Sequence, residues 1–204
     1  MKKQIIPLCF LVAGLYSTAQ ATHDHSDHKG HAQQDAKQTA SAPLSGDSLF
    51  NTNASFKDQN GNAIKLESFR GHPVVISMAY TGCAYTCPMI LTQMQQVEKA
   101  IEKTGRKDVQ FVLITFDYMN DTPTILKAYA QRKNLSGNWK LLTSASDKEP
   151  REISNLLGIK YKKMEGGDYD HSFVITVLDS EGVIKGRQVG AKGDTETLVG
   201  YLPK

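Results

Sequence analysis

Pro73-Val74-Val75-Ile76-Ser77-Met78-Ala79-Tyr80 runs without a break into Thr81-Gly82-Cys83-Ala84-Tyr85-Thr86-Cys87-Pro88, and the fold turns on this stretch. The first eight residues form an apolar, β-branched run without polar alternation, the pattern of a strand buried on both faces. From Pro88 onward Ile90, Met94, Val97 and Ile101 fall at i, i+4, i+7 and i+11 on one helical face, and Gly105 closes the helix. A buried strand, a short loop holding two cysteines and an amphipathic helix therefore follow one another. The loop between such a strand and helix is where an open α/β sheet presents its ligand crevice.

The same reading extends in both directions. Upstream, Ser55 to Phe69 reads as a hairpin turning at Asn60-Gly61, a type I′ signal. Downstream, Val109 to Phe116 is a second buried strand, and Pro123 to Lys133 a helix capped by Asp121 or Thr122. Trp139 to Thr143 is a short strand, and Asp147 to Leu157 a helix stopped by Gly158. Phe173 to Leu178 and Val183 to Gln188 pair across Ser180-Glu181-Gly182, and Asp194 to Leu202 forms a closing helix. Strands alternating with helices and ending in an antiparallel pair predict an α/β sandwich around a mixed sheet. The order fits a thioredoxin-like fold with an N-terminal β-hairpin and an inserted strand and helix.

Composition sets the limits. The chain has 204 residues, 40% hydrophobic and 22% charged, with 16 Gly, 7 Pro and 3 Cys, a balance that excludes collagen, coiled coil and wholesale disorder. Three cysteines cannot staple a disulfide-dense scaffold. Residues 1–21 have the plan of a secretory signal: Lys2 and Lys3, an apolar core from Ile5 to Tyr16, and Ala19-Gln20-Ala21 as the cleavage site. That core is shorter than the ~20 residues of a spanning helix. A membrane association is expected only if the segment is retained as an anchor. Leu8 before Cys9 is larger than lipoprotein processing favours, which argues against acylation there. Cleavage after Ala21 would leave 22 basic against 21 acidic residues, too even a balance for a nucleic-acid partner. It would also leave Cys83 and Cys87 as the mature cysteines, in an oxidising compartment, the periplasm.

Residues 22–46 form a low-complexity tail in which His23, His25, His28 and His31 alternate with Asp, Ser, Lys and Gly. Imidazoles so spaced can capture Cu²⁺, Zn²⁺ or Ni²⁺ as a loose auxiliary site, because the tail lacks the apolar residues to fold a rigid cage. Residues 47–204 have the size of one ordinary domain.

The cysteine pair admits three readings. A structural disulfide would close a loop of a few residues and contribute little entropic stability. A redox dithiol is chemically sound, although disulfide oxidoreductases usually space their cysteines by two residues. A soft-metal site suits two thiolates, but needs a further ligand. Cys87, beside the helix N-terminus, is expected to gain thiolate character from the positive end of the dipole. His72 lies at the far end of the first strand and reads as surface. His171, in Asp170-His171-Ser172, enters the strand whose start lies beside the cysteine loop, and Asp170 is expected to orient its ring. Met78, Met89 and Met164 read as core or surface, and Tyr80 and Asp117 as bordering the crevice.

With these residues assembled, the sequence resembles the SCO/SenC family, exported copper proteins involved in assembling cytochrome c oxidase. The resemblance runs from about Leu49 to Leu202 in three blocks. Thr81 to Pro88 matches the Cys-x-x-x-Cys-Pro motif; Phe116-Asp117 with Asp121-Thr122-Pro123 and the helix to Ala130 matches a second block; and Asp170-His171-Ser172 matches the distal histidine motif. Tyr85 stands near a place that is acidic in many members, and Tyr118 replaces a proline. The resemblance implies a thioredoxin-like fold and a Cu(I)/Cu(II) site of Cys83, Cys87 and His171. It implies a metallochaperone whose partner is the copper-centre subunit of the oxidase or another periplasmic copper or thiol protein. The rival is a thiol-disulfide oxidoreductase acting through Cys83 and Cys87. A peroxide-reducing enzyme is disfavoured because its Pro-x-x-x-Thr-x-x-Cys run is absent.

Overall fold

The computed structural model describes residues 42–204. The signal segment and the tail imidazoles His23, His25, His28 and His31 lie outside the described residues. A 3-10 turn at Leu49–Asn51 precedes β1 (Ser55–Asp58) and β2 (Ala63–Lys65), and a second such turn at Leu66–Phe69 leads into β3 (Val74–Ala79). There follow α1 (Thr86–Lys103), β4 (Gln110–Thr115), α2 (Pro123–Arg132), β5 (Trp139–Thr143) and α3 (Lys148–Leu157). A ribbon of β6 (Tyr161–Lys163) and β7 (Tyr169–His171), the pair β8 (Val174–Leu178) and β9 (Ile184–Val189), and α4 (Thr195–Gly200) complete the order.

Among the described residues the main sheet has the strand order β2-β1-β5-β4-β3-β8-β9, and β6-β7 is a separate two-stranded sheet. β3, β4 and β5 are parallel, while β8 runs antiparallel to β3 and β1 antiparallel to β5. This is the mixed, thioredoxin-like sheet that the pattern of residues predicts. Side-chain alternation along β3 divides the core between the two faces. Ile76 and Met78 pack with Val112, Ile114, Phe116 and Ile153, whereas Val75 packs with Ile90, Met94, Phe111 and Trp139. The helical stripe from Ile90 to Ile101 is buried throughout, as its period requires.

Local departures have physical causes. The first hairpin turns through the three-residue loop Gln59-Asn60-Gly61, closed by the Asp58 N–H on the Asn62 carbonyl at 2.9 Å, rather than through a two-residue type I′ turn at Asn60-Gly61. The Gly61 N–H donates to the Asp58 carbonyl at 2.9 Å and only Gly61, φ +85°, is left-handed, so the central pair is Gln59-Asn60. Asp58 dictates this, because its carboxylate accepts the N–H groups of Asn60 and Asn62, each at 2.9 Å. α1 begins two residues before Pro88, which still falls in the first turn, where a missing N–H is harmless. Thr122, not Asp121, caps α2, accepting the Ile125 N–H. The β6-β7 ribbon has no counterpart in the sequence reading. Its two strands have three residues each, with Lys162, Lys163 and Asp170 exposed, too short to register as alternation.

Two topological facts position the site. The cysteine loop and the 116–122 loop both leave the C-terminal ends of the parallel neighbours β3 and β4. The antiparallel register of β8 on β3 pairs Ser77 with Ile175, and extended along the chain it brings His171 opposite Thr81.

Candidate metal centre

Cys83 lies in the loop before α1, partly exposed, and Cys87 is a buried residue of its first turn, only 1% accessible. Both are free thiols. The Cys87 N–H donates to Cys83 Sγ at 3.3 Å, so the N-terminus of the helix points at the first cysteine rather than the second. Burial pushes the Cys83 thiol up, but the Cys87 N–H, the Cys87 thiol and the N–H groups of Tyr85 and Thr86 outweigh it, and the net shift is downward. Cys87 goes the other way. Burial drives its thiol well up, against the single N–H that Tyr80 donates to its Sγ at 3.4 Å, and the nearby Cys83 and Asp121 add to the rise. The thiolate expected at Cys87 therefore belongs to Cys83: a helix terminus favours the anion its N–H groups face, and Cys87 is one of the donors.

His171 ends β7. Its Nε2 lies 3.2 Å from Cys87 Sγ and its Nδ1 3.1 Å from the Ser172 carbonyl oxygen. With Nδ1–H donating to that carbonyl, Nε2 presents a lone pair to the cysteines. Burial lowers the His171 pKa, against the opposing effects of the Ser172 carbonyl and Asp170, so the ring is held neutral. The orienting role expected of Asp170 falls instead to Ser172, because Asp170 is exposed on the outer side of the ribbon. The ring sits beside Phe116, 5.1 Å between centroids, and meets Tyr80 edge-on at 6.3 Å.

The ligand atoms of Cys83, Cys87 and His171 all lie within 4.8 Å of one another. Thiolates bind a metal at about 2.3 Å and imidazoles at about 2.0 Å, so a single ion can reach atoms spaced in this way. Two soft sulfurs and one imidazole, partly shielded from water, form a three-donor set that suits copper and, among the described residues, lacks the fourth protein ligand of a closed zinc site. His72 is remote, its Nδ1 3.0 Å from the Asp108 carbonyl oxygen. Met78 is buried in the core, while Met89 and Met164 are exposed.

Comparison with known proteins matches residues 43–202 to the SCO1/SenC family model. The chain belongs to the SCO1/SenC family. The SCO1 protein homolog of Bacillus subtilis is 34% identical over 116 residues, 55% of this chain and 59% of that protein. The chain spans less than two thirds of the length of the curated relatives it matches first. Among solved structures, ScoI of Bradyrhizobium japonicum with copper bound is similar at TM-score 0.60 and 27% identity, covering 72% of this chain and 92% of that one. BsSco, a member of the Sco family of cytochrome c oxidase assembly proteins, is similar at TM-score 0.63 and 26% identity over 72% of this chain and 86% of its own.

Several residues that shape this SCO1/SenC site were named in the sequence without the role they take here. Asp121, 1% accessible, accepts the Thr81 N–H at 3.0 Å, the Thr81 hydroxyl, and the Thr115 hydroxyl at 2.5 Å. Asp117 accepts the Tyr169 hydroxyl at 3.3 Å, and the Tyr80 hydroxyl donates to Asp168 at 3.2 Å. The available signal was that Thr122 can cap α2 unaided, which leaves an acid just before the helix with no local task.

Proposed function

We propose that this protein is an exported copper metallochaperone that holds copper through Cys83, Cys87 and His171 and serves assembly of the copper centre of cytochrome c oxidase. The observation that carries the reading is the convergence of two sulfurs and an imidazole nitrogen within 4.8 Å, in a family whose solved members include one with copper bound. Two thiolates hold Cu(I), and the added imidazole extends the site to Cu(II). The cargo leaves by ligand exchange: a sulfur of the acceptor bonds to copper as a sulfur of the donor is released, and oxidation state is conserved. The acceptor is the oxidase subunit bearing the copper centre, a reading supported by the similarity to BsSco, a member of a family of cytochrome c oxidase assembly proteins, or another periplasmic copper or thiol protein.

Export to the periplasm rests on Lys2, Lys3, the Ile5 to Tyr16 core and Ala19-Gln20-Ala21. Among the described residues no helix is long and apolar enough to cross a membrane. His23, His25, His28 and His31 supply a second, exchangeable Cu(II) site of lower affinity.

One observation favours a thiol-disulfide oxidoreductase as the second reading: a partly exposed Cys83 with a lowered pKa beside a buried Cys87 is the arrangement of an attacking and a resolving thiol. Anaerobic titration of the reduced protein with Cu(I), run beside an insulin-reduction assay, separates the two. One tight equivalent of Cu(I) with negligible insulin turnover is the expected result; indifference to copper with efficient turnover establishes the reductase.

A further inference from the structure

The loop joining β4 to α2 carries two acids four residues apart, Asp117 and Asp121, both buried. They face different halves of the metal centre. Asp121 takes the Thr81 N–H and hydroxyl, at the head of the cysteine loop. The preceding residue, Tyr80, donates its N–H to Cys87 Sγ at 3.4 Å and accepts the Cys83 N–H on its carbonyl at 3.4 Å. Anchoring Thr81 therefore fixes the peptide on which both cysteines rest. Asp117 accepts the Tyr169 hydroxyl, and Tyr169 stands two residues before His171 on β7. That ribbon is not laddered to the main sheet, so beyond its continuity with β8 it is side chains that hold it in place. The Tyr169 N–H adds one bond, to the Tyr80 hydroxyl at 3.3 Å.

The two acids are themselves braced. The Asp121 N–H donates to the Asp117 carbonyl at 2.9 Å, and the Asn120 amide holds both Asp117 carboxylate oxygens, at 3.1 and 2.9 Å. Thr115 bonds each in turn, donating its hydroxyl to Asp121 and accepting the Asp117 N–H at 3.0 Å. We propose that Asp117 and Asp121 are positioning residues that together set the distance between the thiolate pair and the imidazole, Asp121 holding the cysteine loop through Thr81 and Asp117 holding the histidine ribbon through Tyr169. Neither acid touches a ligand atom. The proposal rests on the copper reading above for its purpose, but its geometry can be tested without metal.

The test uses the full-length reduced protein with Tyr169→Phe, Asp117→Ala and the double variant on one side, and Thr81→Val with Thr81→Ser on the other. The metal-free readout is the imidazole nitrogen NMR of His171, which reports the contact of Nε2 with Cys87. The loaded readouts are the Cu(II)–thiolate absorption band and the Cu(I) and Cu(II) affinities. Tyr169→Phe and Asp117→Ala are expected to shift the His171 resonances and weaken Cu(II) by about tenfold or more, as loss of a ligand's support does. Cu(I) affinity should stay within about threefold of wild type, because two thiolates suffice for the soft ion. The double variant should lose no more than either single change, since both cut one link. Thr81→Val should weaken both oxidation states together, and Thr81→Ser should restore them. Wild-type His171 resonances in Tyr169→Phe, or additive losses in the double variant, would overturn the proposal. If the wild type takes up no copper while its metal-free His171 resonances still move in Tyr169→Phe, the copper reading fails and the positioning role stands.

Discussion

Replacing either sulfur, Cys83→Ala or Cys87→Ala, should abolish tight Cu(I) binding in a competition titration. His171→Ala should cost Cu(II) affinity far more than Cu(I), with the charge-transfer band altered or lost. The acid–base state of the three donors fixes the pH dependence and its sign. At neutral pH His171 is already neutral because burial lowers its pKa, whereas Cys87 keeps its proton because burial raises its own. Copper must therefore expel a proton from Cys87, and affinity should rise by about tenfold per pH unit where Cys83 is already thiolate, more steeply where Cys83 must also ionise. Proton release measured with an indicator dye on anaerobic Cu(I) addition checks this; uptake independent of pH from 6 to 9 would contradict it. The three donors were legible in the sequence because residue type and family spacing name them. The division of labour between the two thiols was not, since it depends on which sulfur the helix N–H groups face, and that is a matter of ångströms.

The long elements announce themselves through period and punctuation. α3 ends where Gly158 adopts φ +69°, and Asp194 caps α4 by accepting the Thr197 N–H at 2.6 Å. The β6-β7 ribbon stayed hidden because three-residue strands are too short to show alternation, although Tyr161 and Tyr169 pack on the core, and it is the element that delivers His171. Gly182 offers a test of element packing well away from the centre. It has φ +81°, and a Cβ there would stand 2.6 Å from Phe50 Cγ and 2.7 Å from Ser48 Oγ, both in buried residues of the N-terminal segment. Gly182→Ala combines backbone strain with overpacking and should lower stability by about 2–4 kcal/mol. Chemical denaturation measures the loss, with the Cu(I) affinity of the folded fraction unchanged.

For the molecule as a whole, tail and domain are expected to bind metal independently. Replacing His23, His25, His28 and His31 together by Ala should remove the weaker Cu(II) equivalents and leave one tight Cu(I) equivalent, read by titration followed by dialysis against a weak chelator. Loss of the tight equivalent in that variant would mean that the tail shares the main site. The sheet order also has a lesson for reading sequences of this class. β8 lies far from β3 along the chain yet pairs with it, so the third donor stands outside the cysteine motif and is carried towards it by the antiparallel register. The unequal burial of the two sulfurs carries a last consequence. Cys87 is sealed at 1% accessibility while Cys83 opens to solvent, so an electrophile such as iodoacetamide, at limiting dose, should mark one thiol in the native fold and both after denaturation. A visiting protein meets the same asymmetry: the outer sulfur must be displaced first, and the inner one lets go last.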